Sequence, residues 1–183
     1  MNMEEKTITQ NYRYKGKIIN LRVDDVSLPD GKTSLREIIE HPGGVCVAAL
    51  TPDGRLPFVR QYRYAYRRNV LELPAGKLER GENPLDAVKR ELAEEVGAHG
   101  VHWRSMGELY PTPGYTNEII RLFACDIDRQ EASHPDEGEF LEVTYLSLEE
   151  ALQMVMNGEL PDAKTQTLIL KLFAEKTETT QKN

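Results

Sequence analysis

The sequence predicts a mixed α/β (α+β) domain preceded by an N-terminal antiparallel β-hairpin arm. Two observations carry this. Short apolar or alternating runs, several bounded by turn residues, recur along the chain, and three helical stretches with their own start or stop signals interleave with them. No internal repeat or low-complexity linker breaks the order.

The arm comes first. "KIINLRVDDVSL", a "PDG" turn and "KTSLREIIEH" read as two partly alternating strands. Residues 1–42 are assigned to this arm, 43–175 to the main domain and 176–183 to a polar tail that frays. "GVCVAALT" is a nearly continuous apolar run, the pattern of a buried strand. A second turn, Pro52 to Gly54, leads to "RLPFVRQYRY"; "NVLELP", "VHWRSMGELYP", "EIIRLFACDI" and "FLEVTYLSL" are the remaining strands. The first helix is Pro84 to Val96, with Asn83 as N-cap, proline at its first position and Gly97 as its stop. The second starts at Ser147, which forms a capping-box pattern with Glu150, and ends near Gly158. The third covers Asp162 to about Ala174, with Leu168, Ile169 and Leu172 on one side.

Composition narrows the partners. The 183 residues carry a net charge of −7, which argues against a general nucleic-acid surface. An acidic chain can still take a small anionic substrate when divalent cations mediate. No apolar run has the length of a membrane span and no leader pattern opens the chain, so the expectation is a cytoplasmic protein without a membrane partner. Cys46 and Cys125 sit in apolar runs without zinc-site spacing and read as free, buried thiols. His41, His99, His102 and His134 are scattered and read as surface or satisfied residues.

The first helix carries the chemistry. At about 100° per residue, Glu91, Glu94 and Glu95 fall within an arc of about 100°. Leu85, Val88, Leu92 and Val96 form the adjoining apolar stripe. Glu91 and Glu95 are a like-charged i,i+4 pair, which repels unless a cation stands between them. Mg²⁺ or Mn²⁺ would remove that penalty, and Gly76 and Gly81 in the preceding loop let backbone approach a ligand closely. Spacing alone leaves a metal site and a solvated acidic helix both open.

The run from Gly76 through Glu82 to Arg90-Glu91-Leu92-Ala93-Glu94-Glu95-Val96-Gly97 resembles the Nudix box, the loop-helix-loop signature of the Nudix hydrolases. Ala98 departs from it, being smaller than the family's usual aliphatic residue there. The resemblance implies an α/β/α sandwich around a mixed sheet and hydrolysis of a nucleoside diphosphate linked to another group. It makes Glu91 and Glu95 the principal metal ligands, with Glu94 assisting and the Ala75 carbonyl as a further ligand. Arg90 and Glu82 would orient the carboxylates.

"VRQYRY", "LELPAGKLE" and "PTPGYTNE" are similar to the ADP-ribose pyrophosphatase branch of that family, and Pro113 occupies the place of a proline found there beyond the box. Carried over, Arg63 would contact the diphosphate and Glu72 would line the substrate or metal region. Arg36 and Glu37 would recognise the adenine end, often across a subunit boundary, and Glu118 would meet ribose or a metal-bound water. The branch takes its catalytic base from an acidic loop after the box, here "SHPDEGEF", with Glu139 as the choice and Glu137 in reserve. Mg²⁺-dependent hydrolysis of ADP-ribose to AMP and ribose 5-phosphate is the leading expectation. Another nucleotide sugar or nucleoside diphosphate derivative, or a domain that senses ADP-ribose without cleaving it, are the alternatives. The arm's strands would expose an apolar face in a monomer, so arm exchange in a homodimer is expected.

Overall fold

The computed structural model describes residues 2–136 and 138–181. The chain divides into two compact units. The first is Met1–Gly43 with Tyr110–Ile119, and the second is Gly44–Leu109 with the chain from Ile120 onward.

The first unit is a three-stranded antiparallel sheet in the order β1 (Lys6–Lys15), β2 (Asn20–Ser27), β3 (Thr33–Glu40). The sequence predicts only β2 and β3. Every residue of β1 is exposed, so no buried face imposes a period on "KTITQNYRYK" and the strand leaves no apolar pattern. The segment 110–119 docks alongside β3. Ile39 N–H donates to the Tyr115 carbonyl (2.7 Å), Asn117 N–H to the Ile39 carbonyl (3.1 Å), and His41 N–H to Asn117 Oδ1 (2.8 Å).

The second unit holds two sheets. One runs β10 (Leu141–Ser147), β5 (Arg55–Arg63), β6 (Arg68–Glu72), all antiparallel. The other is mixed, in the order β7 (Ala75–Lys77), β4 (Gly44–Leu50), β9 (Ile120–Gln130), β8 (Ala98–Leu109), and only the β4–β9 pair is parallel. Strand β4 explains the layering. Alternate residues of a strand face opposite sides. Val45, Val47 and Ala49 enter a core with Val88, Leu92 and Val96 of helix α1 (Pro84–Val96). Cys46 and Ala48 enter a second core with Ala151 and Val155 of α2 (Leu148–Met156) and Leu168, Ile169 and Leu172 of α3 (Ala163–Gln181). Helices therefore cover both faces of the mixed sheet, which is why its central strand reads as an unbroken apolar run. This is the expected α/β/α arrangement.

Each large side chain buried in these cores contributes roughly 1.5–3 kcal/mol. The two cysteines, both buried, are free thiols. The capping box of α2 forms as expected, Ser147 Oγ accepting from Glu150 N–H. Helix α3 runs past Ala174 to Gln181, through most of the segment read as a polar tail. Among the described residues no helix is long and apolar enough to cross a membrane.

Candidate active site

Helix α1 starts and stops where its sequence dictates. The Asn83 side chain accepts from Leu85 N–H at 2.9 Å, Pro84 opens the helix, and Gly97 ends it with φ of 70°, a left-handed conformation that favours glycine. A side chain at Gly97 would also strike the Glu131 carbonyl, 2.3 Å from a Cβ there. The helix packs through Ala87, Val88, Leu92 and Val96, and the same rotation carries Glu95 inward. Glu95 is only 4% exposed.

The carboxylates of this helix do not stand alone. Arg90 donates from Nε to Glu82 (3.1 Å) and from Nη1 to Glu91 (2.9 Å) and Glu94 (2.8 Å). Its side chain is the resident counter-charge of the cluster. Those hydrogen bonds, Glu82 foremost, hold the guanidinium protonated beyond its ordinary range. Arg90 and the Glu79 N–H in turn pull Glu82 below the usual carboxylate range.

Glu91 and Glu95 respond in the opposite sense. Burial raises Glu91, with repulsion from Glu94 and Glu139 adding to it and Arg90 opposing. Burial pushes Glu95 up to about 8, helped by repulsion from Glu91 and Glu139; the Ala75 N–H, 3.0 Å from Glu95 Oε2, opposes the shift. Gly76 makes room for Glu91. A Cβ there would lie 1.8 to 2.3 Å from the Glu91 carboxyl atoms.

Among the described residues no three His, Cys, Asp or Glu side chains are drawn together as a ready metal site. Arg90 holds Glu91 and Glu94, and the Ala75 amide holds Glu95. The donor chemistry nevertheless fits a hard divalent cation. Two carboxyls a helical turn apart, Glu95 buried and Glu91 partly buried, repel each other, so each gains by binding positive charge.

A second charged group interacts with Glu95 through Arg63. Arg63 donates to both Glu72 oxygens at 2.7 Å. Lys164 Nζ bonds the same carboxylate and also Asp162 Oδ1 at 2.9 Å. The charge on Arg63 is felt at Glu95 and that on Glu95 at Arg63. Arg63, Tyr66, Arg68, Glu72, Asp162 and Lys164 line a cavity of about 200 Å³. Sequence reasoning picks out Arg63 and Glu72 and misses Lys164, which lies 92 positions from Glu72 in an unremarkable "PDAKT".

The loop after β9 is tied to the end of α1. Glu131 N–H donates to the Gly97 carbonyl (2.7 Å) and His134 N–H to the Glu94 carbonyl (2.9 Å). Glu139 lies in this loop, lines a cavity of about 440 Å³, and raises the proton affinity of Glu91 and Glu95 by its charge. Glu137 lies outside the described residues.

The other expected substrate residues belong to the first unit. Arg36 is engaged by Glu5, donating from Nε at 2.8 Å, and by the Leu35 carbonyl. Glu37 is exposed, and as its neighbour in β3 it projects from the opposite face of the sheet. Pro113 and Glu118 lie in the segment docked on β3, where Glu118 reaches His41 Nδ1 at 3.3 Å.

Comparison with known proteins extends these observations. A NUDIX domain model matches residues 40–167, and a nucleoside diphosphate sugar hydrolase N-terminal domain model matches residues 5–39. The chain is 43% identical over 165 residues to an ADP-ribose pyrophosphatase of Bacillus subtilis (strain 168), covering 89% of each chain. It is 40% identical over 164 residues to a methanol dehydrogenase activator of Bacillus methanolicus, covering 88% of this chain and 89% of the relative. An ADP-ribose pyrophosphatase of Mycobacterium tuberculosis is 35% identical over 160 residues, or 85% and 76% of the two chains. The domain match spans the loop and helix described above and the strands that carry Arg63 and Glu72, and on that ground the chain belongs to the Nudix hydrolase family.

Proposed function

We propose that this Nudix hydrolase cleaves the diphosphate of ADP-ribose, giving AMP and ribose 5-phosphate, with Mg²⁺ as its metal and Mn²⁺ able to replace it. The observation that carries the reading is the mutually repelling pair of partly buried Glu91 and buried Glu95, with Arg63 close enough for its charge to act on Glu95. Two relatives that bear the name ADP-ribose pyrophosphatase, and the N-terminal match to a nucleoside diphosphate sugar hydrolase domain, support the substrate.

Nudix hydrolases work with divalent metals. Here Glu91, Glu95 and the Ala75 carbonyl would hold the metal, Glu94 assisting. When bound, such ions neutralise charge developing on the phosphoryl oxygens and acidify the attacking water. The chain's own groups do the rest. Arg90, anchored on Glu82, keeps Glu91 and Glu94 in register. Arg63 orients the diphosphate, and Glu72 holds Arg63. Glu139 takes the proton from water as its oxygen attacks phosphorus and the bridging P–O bond breaks. Recognition of the adenine end is assigned to Arg36 and Glu37, with Pro113 and Glu118 completing the substrate contacts. A protein that only sensed ADP-ribose would have no use for this carboxylate set.

Incubating the protein with ADP-ribose and a panel of other nucleoside diphosphate compounds tests the proposal. We expect AMP and ribose 5-phosphate from ADP-ribose with Mg²⁺, loss of turnover with excess chelator, and recovery when Mg²⁺ or Mn²⁺ is restored. Full turnover in chelator would exclude the metal mechanism, and faster cleavage of another nucleotide sugar would displace ADP-ribose.

We further propose a homodimer built through the arm. Its outer strand β1 exposes Ile8, Tyr12 and Tyr14 along with every other residue it has, an edge that invites pairing. Sedimentation of the intact chain should give a dimer, and removal of residues 1–40 a monomer or aggregate. A fully active monomer of the intact chain would refute the arm's role.

A further inference from the structure

We propose that Lys164 is a positioning residue for substrate phosphate: it neutralises Glu72, so that Glu72 can hold Arg63 in place without cancelling its charge. This rests on the reading of Arg63 as the diphosphate contact.

The geometry is specific. Glu72 is 2% exposed and accepts three hydrogen bonds, two from Arg63 and one from Lys164. Arg63 uses Nε and Nη2 on Glu72, which leaves Nη1 without a hydrogen-bond partner among the described residues. Its side chain is 40% exposed and lines the cavity. A guanidinium held by one edge offers its other edge at a set angle, the arrangement that suits a phosphate oxygen. The difficulty is charge. A buried carboxylate paired one-to-one with Arg63 would leave the cavity with no net attraction for an anion.

Lys164 removes that difficulty. Its ammonium is nearly buried between Glu72 and Asp162. Asp162 does not simply cancel it, because the second Asp162 oxygen is taken up by the first turn of α3. Oδ2 accepts from Thr165 N–H (3.0 Å) and Thr165 Oγ1 (2.6 Å), where the helix end carries partial positive charge. Arg68, on the rim of the same cavity, adds a cation without an ion pair among the described residues. A purely structural role would be carried by a different link: Leu73 N–H donates to Thr165 Oγ1 at 2.9 Å, joining strand β6 to α3 without any charge.

These two roles separate by measurement. The probe is inorganic pyrophosphate at fixed Mg²⁺, titrated by calorimetry against wild type and variants. Lys164→Met should raise its Kd by about tenfold or more. Glu72→Gln/Lys164→Met removes the uncompensated carboxylate while leaving the glutamine amide oxygen to accept from Arg63, and should recover most of the affinity. Lys164→Arg, which keeps the charge, should stay within a few-fold of wild type. Thr165→Val removes the Leu73 link but keeps the backbone N–H on Asp162 Oδ2, so it should lower Tm while changing the Kd far less than Lys164→Met does. Wild-type affinity in Lys164→Met, or a double variant as weak as the single, would overturn the proposal. If Lys164→Met does not fold, Lys164→Arg and the double variant decide it alone: near-wild-type Kd for both supports it, tenfold weakening of the double variant overturns it. Turnover of ADP-ribose by wild type is measured alongside. Pyrophosphate binding without that turnover would sink the substrate assignment and leave the role of Lys164 standing.

Discussion

Replacing Glu95 with glutamine should cost roughly 10²–10³-fold in kcat, the range seen when one group that stabilises transition-state charge is removed, while leaving the metal-free protein no less stable. The reason lies in the sign of its shift. Burial and the nearby Glu91 and Glu139 charges raise Glu95 to about 8 in the folded chain, from a usual value of 4.5. The folded state therefore binds this proton more tightly than the unfolded state. Its stabilising contribution is complete below the unfolded value and is lost as pH rises through that window toward 8. Glutamine is neutral throughout and its side-chain oxygen can still accept from the Ala75 N–H. The thermal midpoint of metal-free wild type should thus fall between about pH 5 and pH 8 by more than that of Glu95→Gln, the difference following the titration of this one group. Added Mg²⁺ should flatten the wild-type dependence more than the variant's, which retains Glu91. A folded variant with normal specific activity would refute the assignment of Glu95 as a metal ligand, and one that unfolds at neutral pH would refute the stability argument.

Glu139→Gln should slow the chemical step by ~10²–10⁴-fold, the usual contribution of a general base, with substrate and Mg²⁺ affinities changed only a few-fold. Glu139 lies in the loop hydrogen-bonded to the C-terminal end of α1, and its charge reaches Glu91 and Glu95 without any hydrogen bond to them. That arrangement suits a group that acts on water beside the metal rather than one that ligates it. Single-turnover rates and Mg²⁺ titrations of Glu139→Gln and Glu137→Gln separate the candidates. A large rate loss confined to Glu137→Gln would transfer the role. Less than roughly tenfold slowing in both, well under that range, would send the search to Glu94 or Glu118.

Much of the local structure of the candidate site was legible because its signals are local. Asn83, Pro84 and Gly97 bound α1 through contacts within a turn or two, and the spacing of Glu91, Glu94 and Glu95 along that helix follows from helical geometry alone. Likewise, "GVCVAALT" announces a strand buried on both faces, since both of its alternating sets are apolar. The capping box of α2 needs only Ser147 and Glu150.

What only the tertiary structure decided depends on residues distant in sequence or on surfaces without a pattern. Strand β1 is exposed throughout, so burial never wrote a period into it. Helix α3 continues to Gln181 through residues too polar to advertise it. The docking of 110–119 on β3 is made largely by backbone groups, which carry no residue signature. Spacing showed that the glutamates repel, but not that Arg90 already spans Glu82, Glu91 and Glu94. Least legible of all was Lys164. Its role exists only because folding brings the start of α3 against the end of β6, where a buried carboxylate already faces Arg63.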